Sequence, residues 1–130
     1  MNGCVFCDVI SKNEPHHEIW WRDDDNVAFL DITPNQPGHT LVVPVEHSEN
    51  VLDLEVDAYI SLMAAVKDVS NKLRSFYNIP RVGIVIEGLT VAHVHVHVIP
   101  IRKQGDLLNQ HVLKEGELSA LGEQLRSSFG

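Results

Sequence analysis

The longest regular pattern in the chain is an alternation of apolar and polar positions between residues 56 and 77. Apolar residues recur there mostly at spacings of three or four, with charged residues between them: Tyr59, Leu62, Met63, Val66, Val69, Leu73, Phe76 and Tyr77. This spacing matches the 3.6-residue turn of an α-helix that packs one face against a core. The sequence NIP, residues 78–80, interrupts the pattern, so we expect one long amphipathic helix here.

Shorter apolar runs on either side of this helix have the length and composition of β-strands. EIWWRD and NVAFLD are separated by a polar turn, which predicts a hairpin over residues 18–31. HTLVVP, residues 39–44, predicts a continuous apolar strand, and the proline-rich segment DITPNQPGH that leads into it is expected to be a loop. RVGIVIEG, residues 81–88, and VAHVHVHVIP, residues 91–100, complete the predicted strands.

The two ends of the chain carry shorter helical patterns. Apolar residues at positions 5, 6, 9 and 10 predict a short N-terminal helix, and Leu118, Leu121 and Leu125 predict a final helix. Strands interrupted by one long helix indicate an α+β fold in which about five strands form an antiparallel meander sheet. A length of 130 residues is typical of one domain, so we expect a single domain over residues 1–130.

The composition and charge of the chain narrow the classes of partner. The chain is 44% hydrophobic and 22% charged, as globular domains are, and its formal charge of −8 gives it no general attraction for phosphate backbones. Nucleic acid is therefore disfavoured as a partner, and an anionic ligand needs a local site. Neither a membrane-spanning apolar run nor a signal-peptide pattern is visible, so we expect no membrane partner and a cytoplasmic location.

The stretch VAHVHVHVIP places three of the chain's eight histidines at alternate positions. Alternate side chains of a β-strand project to the same face, so His93, His95 and His97 would share one face while the valines between them enter the core. Three interpretations are open from these residues alone. The histidines could lie on a solvated strand face, share a metal ion, or form a catalytic row with a nucleophilic imidazole.

Both cysteines of the chain fall in the motif CVFC, as Cys4 and Cys7. In a reducing compartment such a pair is half of a metal site or a redox pair, and a structural disulfide is the least favoured interpretation. A pair of small buried thiols without a ligand role is a further alternative. The motif alone does not decide, because a metal site needs more ligands elsewhere in the chain.

The order of the motifs is more specific than any one of them. CxxC is followed by PGHTLVVP at residues 37–44, by PVEH ending at His47, and by the run HVHVHVI at residues 93–99. This arrangement resembles the histidine triad, or HIT, family, whose signature is three histidines alternating with apolar residues. The resemblance covers residues 4–101 and leaves a C-terminal tail of residues 102–130. It implies a HIT-like fold with one long helix and short terminal helices.

The resemblance also implies a chemistry. Family members hydrolyse or transfer nucleoside monophosphates through a nucleotidyl-histidine intermediate, and the middle histidine of the signature, which is His95 here, is the nucleophile. His97 matches the histidine that assists the leaving group, and His39 matches an upstream histidine that contacts the phosphate region. A neutral imidazole attacks phosphorus without first losing a proton, so this chemistry suits neutral pH.

Other matched positions are expected to bind a purine nucleotide substrate. Thr90 stands where the family has a serine that binds the phosphate, and Asp31 matches the acidic residue that accepts hydrogen bonds from the ribose hydroxyls. Val5, Phe6 and Val9 resemble the apolar wall of the base pocket, with core packing as the alternative.

The resemblance supplies the missing partners of the CxxC motif. Zinc-containing relatives use two cysteines, a histidine after the PGH strand and the first histidine of the triad. The corresponding residues here are Cys4, Cys7, His47 and His93, a set suited to structural, tetrahedral Zn²⁺ that ties the N-terminus to the histidine strand. Family membership further implies a homodimer.

The chain departs from the family pattern just before the triad. Many members carry a longer segment with an asparagine and a glutamine near the phosphates, whereas VIEGLTVAH is short, with Leu89 at the glutamine position and Glu87 nearby. A carboxylate beside a phosphate is repulsive unless it turns away or pairs with a cation. His16, His17 and His111 match no motif position and are expected at the surface.

Our expectation is a hydrolase that cleaves the α-phosphate bond of nucleoside phosphoramidates or dinucleoside polyphosphates and releases a nucleoside monophosphate. Two other classes of function compete with it. A transferase or phosphorylase would use the same intermediate and pass the nucleotide to an acceptor other than water. A non-catalytic nucleotide-binding module would use the site without any covalent step.

Overall fold

A computed structural model describes residues 4–12, 18–87 and 91–129 of the chain. Its α-helices are α1 (Val5–Lys12), α2 (Val56–Tyr77) and α3 (Glu117–Phe129), and a short 3₁₀ helix covers Val51–Asp53. Its strands are β1 (Ile19–Arg22), β2 (Asn26–Leu30), β3 (Thr40–Pro44), β4 (Arg81–Ile86) and β5 (Val96–Ile101).

The strands form one antiparallel sheet in the order β1-β2-β3-β5-β4. The first three strands are consecutive neighbours, but α2 carries the chain from β3 to the far edge, and β5 then fills the place between β3 and β4. The predicted α+β fold class is confirmed, with this crossover in place of a simple meander. Because β5 lies beside β3, the triad strand is next to the strand that begins after His39.

Helix α2 lies where the apolar periodicity predicted it. Leu62, Val66, Val69 and Leu73 lie on its buried face, against the sheet. Removing one aliphatic side chain of this size from water stabilises the fold by roughly 1.5–3 kcal/mol. The helix ends at Tyr77, and the next residue, Asn78, has a left-handed backbone (φ 53°) that lets its N–H cap the carbonyls of the last turn.

The sheet is covered on both faces, so β2 and β3 are buried along their whole length. Helices α2 and α3 cover one face, and Val94, Val96 and Val98 belong to the core on that side. Helix α1 covers the other face, where Leu41 belongs to a second core. Leu41 pairs directly with His97, and directly paired residues project to the same face, so the histidine side of β5 faces α1.

One predicted boundary is wrong, because β5 begins at Val96 and not at residue 91. The ladders on both sides stop at this point, since Ile86 of β4 and Val42 of β3 are both partners of Val96. Strand β3 itself continues to Pro44 but no longer pairs with the approach to β5, while β4 ends at Ile86, so the segment before Val96 has no ladder partner.

The triad therefore begins on an irregular approach to the strand, where His93 and His95 lie. The N–H of Val94 donates to the carbonyl of Ser48 at 2.6 Å in place of a ladder bond. Val94 is still buried, so valines and histidines alternate between core and site as the sequence predicted.

Across residues 4–12, 18–87 and 91–129, no helix is both long enough and apolar enough to span a membrane.

Candidate functional site

A single backbone contact fixes the proton of His95, which is almost fully buried. Its Nδ1 lies 2.7 Å from the carbonyl oxygen of His93. A carbonyl oxygen only accepts hydrogen bonds, so Nδ1 carries the hydrogen in this contact. The neutral ring then has its lone pair on Nε2, and this nitrogen is the one available for nucleophilic attack.

His97 and His39 form a hydrogen-bonded pair beside His95. Nε2 of His39 lies 2.9 Å from Nδ1 of His97, whose ring centroid is 5.2 Å from that of His95. The backbone N–H of Asn35 donates to Nδ1 of His39 at 2.9 Å. His39 therefore carries its proton on Nε2 and donates it to Nδ1 of His97, which leaves the proton of neutral His97 on Nε2.

Burial keeps this pair uncharged near neutral pH. It lowers the pKa of His39 to about 4, against the opposing influence of the Asp31 carboxylate. Burial and the neighbouring His95 also lower the pKa of His97, while Asp31 and Glu87 act in the opposite direction. In the free protein near pH 7, the contact between the two rings is therefore a hydrogen bond between neutral imidazoles.

Asp31 lies beside the histidine pair, just after β2. Its Oδ1 accepts hydrogen bonds from the backbone N–H and the hydroxyl of Thr33, at 2.8 and 3.1 Å. Its Oδ2 lies 3.4 Å from Nε2 of His39 and 3.9 Å from Nδ1 of His97. The ribose-binding role of Asp31 stays a prediction, since the described contacts of its carboxylate are with the loop and the histidines.

Asp31, His39 and His97 have the donor types of a metal site, but their proton positions argue against one. A metal ion would need a lone pair on Nε2 of His39, whereas the amide of Asn35 holds the lone pair of the neutral ring on Nδ1. The 2.9 Å between the two ring nitrogens also fits a hydrogen bond better than two ligands of one ion. This group is therefore suited to holding and moving protons.

A separate cluster brings together Cys4, Cys7, His47 and His93. The Sγ atom of Cys4 is 3.4 Å from Nδ1 of His93, and the Sγ atom of Cys7 is 3.4 Å from Nδ1 of His47. The two Nδ1 atoms are 3.2 Å apart. Tetrahedral zinc with ordinary bond lengths holds sulfur and nitrogen ligands about 3.6 Å apart, and two nitrogens about 3.4 Å apart. These sulfur–nitrogen and nitrogen–nitrogen distances therefore fit a tetrahedral site, and all four candidate ligand atoms lie within 4.8 Å of one another.

His93 is oriented toward this cluster by its other ring nitrogen. Nε2 donates to the carbonyl of Pro44 at 2.8 Å, so the lone pair of the neutral ring is on Nδ1, which faces the thiols. Burial and the adjacent Cys4 raise the pKa of the Cys7 thiol. A bound cation reverses this preference, because it favours the thiolate form. The donor types and their orientation thus fit a closed structural metal site.

The residues predicted to line a base pocket have unequal environments. Val9 is 1% exposed and packs in the core under α1, so core packing is the role that its burial assigns. Phe6 is also buried there, and its ring lies edge-on to the ring of His95 with centroids 5.0 Å apart. Val5 is 50% exposed and keeps a surface that a ligand can contact. Thr90 lies outside the described residues.

The structure corrects the expectation that His111 lies at the surface. Its side chain is half-buried, and Nε2 lies 2.6 Å from a carboxylate oxygen of Glu117. Its backbone N–H donates to the carbonyl of Pro34 at 2.9 Å. Sequence reasoning also missed Asn35, because the group that it brings to His39 is a backbone amide, which every residue except proline carries.

A cavity of about 630 Å³ beside His47 does not suit an anionic substrate. Six carboxylates contribute to its wall, from Asp24, Asp25, Glu46, Asp53, Glu55 and Asp57. Their negative charge repels phosphate. The histidine group is therefore the better candidate for a nucleotide site.

The HIT domain family profile matches residues 12–104, which include all three triad histidines, His39 and Asp31. The chain belongs to the HIT family. Cys4 and Cys7 lie before the matched segment, so the metal-ligand cluster joins the HIT domain core to residues outside it.

Relatives of this HIT protein align over nearly the whole chain. An uncharacterized HIT-like protein of Borreliella burgdorferi is 38% identical in an alignment 133 residues long, which covers 92% of this chain and 95% of the relative. An adenosine 5′-monophosphoramidase of Schizosaccharomyces pombe is 30% identical in an alignment 132 residues long, which covers 98% of each protein.

Solved HIT structures share the fold. A Zn-bound histidine triad family protein of Mycobacterium smegmatis superimposes with a TM-score of 0.77 and 30% identity, over 97% of this chain and 92% of that one. A HIT-like protein of Bartonella henselae gives a TM-score of 0.81 and 27% identity, over 99% of this chain and 98% of that one. These similarities confirm the HIT-like fold predicted from the motifs.

Proposed function

We propose that this HIT protein is a nucleotide hydrolase that cleaves the bond between the α-phosphate and the leaving group of nucleoside phosphoramidates or dinucleoside polyphosphates. The observation that carries the proposal is the 2.7 Å contact between Nδ1 of His95 and the carbonyl oxygen of His93, which assigns the proton to Nδ1. A histidine held in this way presents the lone pair of Nε2 as a nucleophile at neutral pH.

In the first step, Nε2 of His95 forms a bond to the α-phosphorus, and the bond from phosphorus to the leaving group breaks with its electron pair. Attack places positive charge on the ring, and the carbonyl of His93 stabilises this charge through Nδ1–H. The product of the step is a nucleotidyl-histidine and a leaving group that needs a proton.

His97 supplies that proton. The negative charge of the bound phosphate raises the pKa of His97, so in the complex the ring also takes up a proton on Nδ1. The Nε2–H of His39, which points at that nitrogen in the free protein, then turns to Oδ2 of Asp31, 3.4 Å away. Oδ2 of Asp31, 3.9 Å from Nδ1 of His97, stabilises the imidazolium. Nε2 of His97 then gives its proton to the leaving group. Water next attacks phosphorus and returns a proton to His97, the bond to His95 breaks, and the nucleoside monophosphate leaves.

An amine is the leaving group that this site favours. Asp31 and Glu87 both bring negative charge to the surroundings of His97, and a polyphosphate leaving group adds more negative charge there. The relative from Schizosaccharomyces pombe is an adenosine 5′-monophosphoramidase, which supports adenosine phosphoramidates as the first substrates to test. A purine nucleotide is accordingly the proposed substrate class.

We further propose that the cluster formed by Cys4, Cys7, His47 and His93 binds Zn²⁺. The ligand spacing supports it, and so does the likeness to the Zn-bound protein of Mycobacterium smegmatis. When bound, the ion supplies a structural crosslink and leaves the covalent step to the protein side chains. Elemental analysis of protein purified without added metal tests this, with about one equivalent expected; freely titratable thiols and no zinc would contradict it.

The experiment that tests the hydrolase proposal compares the wild type with His95→Ala on an adenosine phosphoramidate. We expect kcat to fall by about 10³-fold or more, with the fold retained, because the nucleophile is lost. Acid quenching of the wild-type reaction should trap a nucleotide on the protein, and His95→Ala should trap none. His16→Ala, outside the triad signature, is the matched histidine control and should keep wild-type turnover.

Near-normal hydrolysis by His95→Ala would overturn the assignment of the nucleophile. A trapped nucleotide that forms nucleoside diphosphate with inorganic phosphate, and little monophosphate in water, would favour a phosphorylase. Nucleotide binding with no turnover and no trapped adduct would favour a non-catalytic binding module.

A further inference from the structure

We propose that residues 102–117, which we call the C-terminal strap, lock the loop of residues 31–39 and thereby fix the proton of His39 on Nε2. Asn35 and His111 are then positioning residues that act on His97 through His39. The catalytic consequence rests on the proposed hydrolase function, but the position of the proton does not.

The loop reaches His39 through one backbone group. The N–H of Asn35 donates to Nδ1 of His39 at 2.9 Å, and the N–H of His39 donates to the carbonyl of Gln36 at 3.0 Å. The first bond exists only while the loop holds the amide of Asn35 over the ring. A neutral imidazole exchanges its two tautomers readily, so removal of this donor leaves Nδ1 of His39 free to take the proton.

Three hydrogen bonds attach the loop to the strap. The side-chain amide of Asn35 donates to the carbonyl of Leu107 at 2.8 Å, and the backbone N–H of His111 donates to the carbonyl of Pro34 at 2.9 Å. The guanidinium of Arg102 donates to the carbonyl of Pro37 at 3.1 Å. These bonds lie on both sides of the amide that reaches His39, so the strap restrains the loop at that point.

The strap is itself held in shape at both ends. Near its start, Oδ2 of Asp106 accepts hydrogen bonds from the backbone N–H groups of Arg102 and Lys103, at 2.8 and 2.9 Å. Near its end, the carboxylate of Glu117 binds Nε2 of His111 at 2.6 Å and the N–H of Lys114 at 3.0 Å. Because Glu117 is the first residue of α3, its contacts anchor the strap to the first turn of that helix.

The C-terminal end of helix α2 also contacts both the strap and the loop. The guanidinium of Arg102 lies 4.4 Å from the ring centre of Tyr77, the last residue of α2. Gly38, with φ +90°, lies so close to the ring of Tyr77 that an added Cβ would be 2.5 Å from its Cε2 atom. The loop is therefore held between the strap and the end of α2.

The consequence is a defined direction for the hydrogen bond between the two histidines. With its proton on Nε2, His39 donates to Nδ1 of His97 and leaves the proton of neutral His97 on Nε2. With the other tautomer of His39, Nε2 would accept, and His97 would turn its own proton toward His39 and away from a ligand. The loop thus sets which nitrogen of His97 carries a proton before substrate binds.

The test uses full-length protein with ¹⁵N-labelled histidine at about pH 7, where both rings are neutral. Long-range proton–nitrogen spectra report which ring nitrogen of His39 is protonated. We expect Nε2 to be protonated in the wild type, and both tautomers to appear in Asn35→Ala and in His111→Ala. Asn109→Ala, an exposed asparagine of the same strap, is the matched control and should keep the wild-type tautomer.

Kinetics on an adenosine phosphoramidate give the second measurement. We expect kcat to fall by about tenfold in Asn35→Ala and in His111→Ala, with KM within about twofold, because the loop acts on proton placement and not on overall binding. His111→Gln keeps an amide that can donate to Glu117 and should recover most of kcat.

An unchanged tautomer of His39 in Asn35→Ala and His111→Ala would overturn the proposal, whatever the activity. A loss of kcat that follows only the melting temperature, without a change of tautomer, would also overturn it, since it would reveal a general structural role. Because the spectra need no substrate, a failure of the hydrolase assignment leaves this result unaffected.

Discussion

At the scale of single residues, one backbone group sets the position of the proton on each of three histidines. A carbonyl on Nδ1 of His95 frees Nε2, while a carbonyl on Nε2 of His93 frees Nδ1. An amide on Nδ1 of His39 makes its Nε2 a donor. Three identical side chains thereby become a candidate nucleophile, a candidate metal ligand and a proton donor.

The low pKa of His39 predicts a dependence of stability on pH. The folded-state pKa of about 4 lies below the ordinary value of 6.5, so the unfolded chain binds more protons between these two values. The free energy of unfolding is therefore unaffected by the protonation of His39 above pH 6.5, and it falls by up to about 3 kcal/mol as the pH drops toward 4. Urea unfolding at about pH 7 and about pH 5 should show a smaller pH effect in His39→Asn than in the wild type. Equal pH effects in the two proteins would contradict the assignment.

Gly38 is predicted to be the glycine of the loop that tolerates no side chain. Gly38→Ala combines a positive φ with a Cβ only 2.5 Å from the ring of Tyr77, so we expect a loss of about 2–4 kcal/mol in the free energy of unfolding. Gly116→Ala shares the positive φ (+77°) but meets no atom within 4 Å, so it isolates the backbone cost of about 1 kcal/mol. An equal loss of free energy of unfolding in the two variants would contradict this prediction, because it would show that the ring of Tyr77 moves aside without cost.

At the scale of elements, the metal-ligand cluster connects three parts of the fold. Cys4 and Cys7 lie at the start of α1, His47 follows β3, and His93 precedes β5. A short helix such as α1 gains little stability from its own backbone, so its place over the sheet depends on packing and on this connection. A metal ion held by these four residues would add a crosslink to the packing of α1, in which the ring of Phe6 contacts Phe29 in the second core.

Loss of one thiolate ligand is predicted to loosen α1. In Cys7→Ser we expect less than a tenth of an equivalent of zinc and a loss of about 3 kcal/mol or more in the free energy of unfolding, measured by elemental analysis and urea titration. Ser11→Ala, on the exposed side of the same helix, is the control and should retain both zinc and stability. Equal stability of Cys7→Ser and the zinc-loaded wild type would exclude a structural role for the metal.

At the scale of the whole molecule, the two edges of the sheet differ. The guanidinium of Arg126 in α3 binds the carbonyl of Ile19 in β1, so one edge strand is partly covered. The other edge strand, β4, exposes 48% of Ile84 and 38% of Ile86. An exposed apolar edge strand is a surface on which a second copy can pair.

We therefore predict a homodimer that forms through β4, with twice the chain mass of 14.6 kDa in sedimentation equilibrium. Ile84→Lys places a charge on this edge and should shift the equilibrium to monomer. Leu52→Lys changes an apolar residue that is 85% exposed and lies outside the strands, so it should remain dimeric. A monomeric wild type, or a dimeric Ile84→Lys, would contradict this interface.

The sequence by itself determined the parts of this protein that depend on local pattern. The 3.6-residue period placed α2, and the order of the CxxC, PGH and triad motifs placed the HIT family, the candidate nucleophile and the four candidate metal ligands. These features depend on residue type and spacing, which the chain carries without any partner.

Only the tertiary structure decided which nitrogen of each ring carries the proton, and where β5 begins. The tautomers depend on the carbonyls of His93 and Pro44 and on the amide of Asn35. The strand begins at Val96 because its pairing with both neighbouring strands begins there. The half-burial of His111 likewise depends on Glu117 and on a loop distant in sequence. Backbone amides and carbonyls are alike along the chain, so their effect on a side chain exists only once the fold brings the two together.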